Sequence, residues 1–142
     1  VNKILTKGST IKKEVRIYQL QMLDATPFTG GDLKIGDKMV FSPMTQKTED
    51  YEQVESFIAK PYFLQQVMNG KHRWWGFTKV VDRNKKAYES VSHIAWNIPI
   101  PNAEHDEYMV ANEFVQKVLE DKISSSREMI NSQELTLVYK ND

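Results

Sequence analysis

The sequence predicts an α+β domain, a ferredoxin-like βαββαβ plait with an antiparallel sheet, helices on one face and an inserted loop or hairpin after the first strand. Three observations predict it. Lys71–Pro99 (KHRWWGFTKVVDRNKKAYESVSHIAWNIP) reads as two strands joined by a polar turn. A helical stretch precedes this pair and another follows it. Strand-like segments sit near both ends, which completes the order strand, helix, strand, strand, helix, strand. The central pair has to be antiparallel, because a short turn joins no other kind of neighbour.

Val1–Lys13 is a basic arm carrying Lys3, Lys7, Lys12 and Lys13, ahead of a single domain over 14–142. Glu14–Leu23 alternates as a first strand, with Val15, Ile17, Gln19 and Gln21 on one side. Asp24–Lys47 holds Pro27, Gly30, Gly31, Gly36 and Pro43. It reads as a hairpin around Gly36-Asp37 or as a lid over a pocket. Thr48 or Asp50 caps a helix to about Ala59, with Tyr51, Val54, Phe57 and Ile58 on its buried face. Pro61 breaks that helix and opens a second one, Pro61–Asn69, closed by Gly70. Arg73–Val81 and Ala87–Asn97 are the central strands, ended by Pro99 and Pro101. Glu104–Lys122 forms an amphipathic helix with Tyr108, Ala111, Phe114, Val115, Val118 and Leu119 on one stripe. Ser125-Ser126-Arg127-Glu128 matches a capping box and predicts a short helix to about Ser132. Glu134–Lys140 is the last strand.

Composition removes several functions. Lys+Arg and Asp+Glu are 19 each, so no global field draws the chain to nucleic acid or an acidic membrane. The chain has no cysteine, which excludes disulfides, thiolate catalysis and cysteine-held metals. No apolar run approaches the roughly 20 residues of a membrane-spanning helix. The cysteine-free composition fits a reducing compartment and also an export route without disulfides; Val1 in place of Met tips the expectation toward an exported protein. Gly31–Lys38 lacks the Lys and the Ser/Thr of a phosphate loop, and no Gly-x-Ser-x-Gly elbow occurs.

Lys60-Pro61 on a helix, then Gly70, then Trp75-Gly76 opening a strand, then Tyr88, resemble the dimeric α/β-barrel superfamily, most of all its small uncharacterised bacterial members. The ending Arg127–Leu135 (REMINSQEL) is similar to theirs. The resemblance spans roughly residues 14 to 140. It implies a homodimer paired sheet to sheet and a pocket between sheet and helices, on a fold whose relatives include cofactor-independent oxygenases and heme-degrading enzymes.

The candidate site follows from strand alternation. His93 and Asn97 share one face of the third strand; Arg73 and Trp75 share one face of the second. His93 could orient a carbonyl or anionic ligand or act as a base, and it is the candidate catalytic residue; the plainer reading is a packed structural His. Ligand-binding candidates are thus His93, Asn97, Arg73 and Trp75. Trp74 and Trp75 point to opposite faces, so one packs under the helices and the other, with Tyr18, faces the open side of the sheet and the dimer contact. His72 and His105 carry no ligand spacing, and the Glu104–Glu107 acids read as a helix first turn, so no metal and no cofactor is expected. The expectation is a small-molecule-binding homodimer. The alternative is a cofactor-independent oxygenase or proton-transfer enzyme on the same scaffold. An RNA-binding plait is a weaker third, since Ala87–Asn97 lacks the basic-aromatic run that RNA readers carry.

Overall fold

One antiparallel sheet organises the computed structural model, which describes residues 15–107 and 112–141. Its strands are β1 (Tyr18–Ala25), β2 (Lys38–Gln46), β3 (His72–Arg83), β4 (His93–Pro99), β5 (Arg127–Met129) and β6 (Gln133–Thr136). The order is β1-β3-β4-β2-β5, with β6 also on β2. Helix α1 (51–68) lies between β2 and β3, and helix α2 (Glu113–Ser126) between β4 and β5.

This is a sheet-rich α+β fold and not the βαββαβ plait. The difference lies in the excursion after β1. Its second half is neither hairpin nor lid but β2, a nine-residue strand inside the sheet. Pro43 hides this strand in the sequence, because a strand proline normally marks an edge or a break. Here the Pro43 carbonyl accepts from Ile130 N–H at 2.8 Å, so its backbone points to the outer side of β2. On that side β6 pairs with Lys38–Phe41 and β5 with Met44–Gln46. The missing donor falls in the gap between them. β3 and β4 do pair antiparallel, with Trp75 opposite Asn97 and Phe77 opposite Ala95.

Helix α1 continues without a break through a turn Tyr51–Val54, a π-helical turn Glu55–Ala59 and an α-helix Lys60–Met68. Pro61 sets the π-turn rather than ending the helix. It has no N–H for Phe57 and its ring crowds that carbonyl. The ladder widens instead, and Lys60 N–H reaches back to Glu55 O. The widening turns Phe57 out to 77% exposure and buries Glu55.

Helix α2 starts at Glu113, where Asn112 caps it by accepting from Val115 N–H at 2.9 Å. The expected helical turn at Glu104–Glu107 is irregular chain. Past Ser126 the expected short helix is β5. The basic arm, Glu14, Tyr108 and Ala111 lie outside the described residues.

Both helices cover one face of the sheet. The core there is Met44, Tyr51, Ala59, Trp75, Phe77 and Ala95, joined by Phe63 and Ile123. Phe63, Trp75 and Phe77 stack with centroid spacings of 6.2 Å. Burying one such ring contributes several kcal/mol, roughly 3–5 by the cost of truncating it to Ala. The opposite face holds a second cluster of Val80, Val91 and Ile94, flanked by Tyr18, Leu20, Phe41, Trp96 and Ile130. No helix among the described residues is long and apolar enough to cross a membrane.

Candidate functional site

A cavity of about 440 Å³ opens between the helices and the sheet. Its floor is Met44, Trp75 and Ala95, from β2, β3 and β4. Ile58, Ala59, Tyr62 and Phe63 of α1 form one wall, and Leu119 and Ile123 of α2 the other. Such a space suits a small organic molecule, and its wall is mostly apolar with a few placed polar groups.

Glu55 and Arg127 both line it. The π-turn aims Glu55 inward, and the residue is 1% exposed. Arg127 Nε stands 3.4 Å from Glu55 Oε2. That is an ion pair without a hydrogen bond, since both atoms, with the nearby Tyr51 hydroxyl, are buried without a hydrogen-bond partner. Burial raises the Glu55 carboxyl above the usual carboxylate range, with Arg127 pulling the other way.

Asn97, with Ser42 of β2, supplies the polar groups from the sheet, and it stands at the end of a hydrogen-bonded chain. Tyr62 Oη lies 2.8 Å from His105 Nδ1, His105 Nε2 lies 3.2 Å from His72 Nδ1, and His72 Nε2 lies 3.0 Å from Asn97 Oδ1. An amide oxygen only accepts, so His72 carries its proton on Nε2. Burial holds His72 neutral, with its pKa lowered to about 4. Its Nδ1 is then bare and accepts from His105 Nε2–H, and His105 Nδ1 accepts from Tyr62 Oη–H. The chain ties up Asn97 Oδ1 and leaves its N–H₂ as the group to offer the cavity.

The mouth is built from Asp106, Glu107, Gln116 and Glu120. Gln66 clamps the Asp106 side by donating to Asp106 O at 2.9 Å and accepting from Asp106 N–H at 2.7 Å. Asn69 Nδ2 donates to Asp106 Oδ2 at 3.0 Å.

The four candidate residues of the sequence separate. Trp75 and Asn97 line the cavity. His93 is 1% exposed and lies beneath α1, stacked on Phe77 at 5.2 Å, with Nε2 2.9 Å from Glu52 Oε1. Ser92 Oγ is 2.9 Å from His93 Nδ1, which gives Ser92, His93 and Glu52 the order of a nucleophile relay. The Ser92 hydroxyl, however, is held between Gln46 N–H at 2.8 Å and Met44 O at 3.2 Å, and the ring has no route to a substrate. Arg73 donates to Gly31 O at 2.9 Å and lies 3.8 Å from Asp37 Oδ2. It fixes the loop after β1, none of whose residues lines this cavity.

Sequence reasoning passed over Glu55, Arg127, Tyr62, Phe63 and the His72–His105 pair. One signal was present: Glu55 falls at i+4 from Tyr51 on the apolar stripe, where a charge has no place unless it is used. Among the described residues no three His, Asp or Glu converge as a metal site requires. Comparison with protein-family models, with curated proteins and with solved structures finds no match to this chain.

Proposed function

We propose that this chain binds a small organic molecule in the cavity between sheet and helices. The observation that carries the reading is the cavity itself: about 440 Å³, floored by Trp75 and walled by Tyr62 and Phe63, with Ser42, Asn97 and the Glu55–Arg127 pair as its interior polar groups. A ligand's apolar body displaces water from the rings, and Asn97 N–H₂ fixes an oxygen of the ligand. The test is a fragment screen read by thermal shift and intrinsic tryptophan fluorescence, repeated on Leu119→Trp, which narrows the space from the partly exposed α2 side. Binders should lose about tenfold or more in affinity in that variant while its unfolding stays cooperative. Hits that bind both proteins equally would place the ligand elsewhere.

A second reading concerns the open face. We propose that two copies meet there. A groove of about 710 Å³ bordered by Tyr18, Phe41, Ile94 and Trp96 lies on this face, and the balanced 19 and 19 charges set up no long-range repulsion between copies. Trp75 faces the helices and is fully buried, so Trp74 is the tryptophan of the pair on the open side. Sedimentation should give a dimer at tens of micromolar (roughly the range of a stable interface), reduced to monomer by Phe41→Lys. A monomeric parent protein would end this reading.

A further inference from the structure

The charge around the cavity is lopsided. Among the described residues its lining holds four carboxylates, Glu55, Asp106, Glu107 and Glu120, against the one guanidinium of Arg127. The intervening 108–111 stretch, Tyr-Met-Val-Ala, adds no charge. Asp106 takes a hydrogen bond from Asn69 at 3.0 Å and Glu120 one from Gln116 at 3.1 Å. Those two set the field at the mouth. Glu55 is different: it is 1% exposed, and its Oε2 accepts no hydrogen bond. A buried carboxylate is an acceptor of several hydrogen bonds, and leaving one unmade is costly. The rings of Tyr62 and Phe63 line the same space, and aromatic faces attract cations.

We propose that the ligand is an organic cation, a primary or secondary amine on an apolar body, held with its ammonium beside Glu55. The proposal rests on the binding reading above and names the ligand class for that site. An ammonium in the cavity stands beside the Glu55 carboxyl, whose Oε2 Arg127 approaches at 3.4 Å without hydrogen-bonding. An anionic ligand of the same size meets four carboxylates and one cation, and the field rejects it.

The test uses matched triplets, an amine, its alcohol and its carboxylic acid on phenyl, indolyl, cyclohexyl and straight-chain bodies, titrated calorimetrically into the whole chain near neutral pH. The amine of at least one triplet should bind about tenfold or more tighter than its alcohol, the gain of one charge-assisted hydrogen bond, and the acids should bind weakest. Glu55→Gln, which keeps the side-chain volume, should remove the amine's advantage over its alcohol. Glu120→Lys at the exposed mouth should weaken the amine several-fold more than the alcohol, and it reads the same field should Glu55→Gln fail to fold. Alcohols or acids that match the amines would overturn the amine assignment and leave the cavity reading standing. If no member of any triplet binds, the cavity reading itself fails.

Discussion

Arg127 Nε stands 3.4 Å from Glu55 Oε2, joining the first residue of a π-turn in α1 to the first residue of β5. Both side chains are largely out of water, at 17% and 2% exposure. A pair of this kind adds little over an apolar pair, but breaking it from one side strands a charge. Arg127→Met should therefore destabilise the protein by about 3 kcal/mol or more, and adding Glu55→Gln should recover most of the loss. Urea unfolding of the single and double variants measures this. Equal midpoints for parent and Arg127→Met would show that the two groups are not coupled.

His72 makes the fold acid-sensitive. Its pKa falls from 6.5 to about 4 on folding, mainly through burial. The folded state thus prefers the neutral ring, and the stability this gives is complete above pH 6.5 and is lost as pH falls toward 4. The full drop corresponds to roughly 3 kcal/mol. Glu55 has the opposite sign: its raised pKa favours the folded state below the ordinary carboxylate range and loses that contribution as pH rises through the folded value. Unfolding free energies measured across the acid range should show a slope that His72→Gln flattens. A variant with the parent's slope would mean that His72 does not carry it.

Gly76 is a spacing residue. A Cβ at this position would overlap the outer ring of the Trp74 indole, which lies over it on the open face. Gly76→Ala should cost about 1–3 kcal/mol by displacing that ring, and much less in a Trp74→Ala background. A double-mutant cycle by denaturant unfolding gives the coupling. Additive effects would mean that the ring does not rest on Gly76.

Gln66 is fully buried and makes both hydrogen bonds that clamp Asp106 to α1. Gln66→Ala should destabilise by about 2 kcal/mol and speed hydrogen exchange at the Asp106 amide well beyond its effect on β3 and β4 amides. Uniform acceleration across the sheet would indicate global loosening instead of a freed cavity mouth.

Much of the sheet was legible and its connectivity was not. Strands β3 and β4 announce themselves through alternation and a polar turn, and their pairing is as the pattern requires. β2 was hidden because Pro43 looks like a break, and the gap between β5 and β6 that tolerates it is a tertiary feature. The same holds for Pro61, whose missing donor widened α1 where the sequence suggested an end. That half-turn decides the site, because it moves Phe57 out and Glu55 in. Strand alternation paired His93 with Asn97 and Arg73 with Trp75 but left open which tryptophan packs under the helices, and it could not show that α1 seals His93 beneath it. His72 and His105 lie 33 residues apart, and no local spacing reveals their contact.

We propose that the space between sheet and helices holds the ligand. Intermolecular nuclear Overhauser effects from a bound screening hit test it most directly. The expected contacts are to the Phe63 and Trp75 rings and to the Ile58, Leu119 and Ile123 methyls. Contacts to Tyr18, Phe41 and Trp96 on the open face, with none to Trp75, would contradict it.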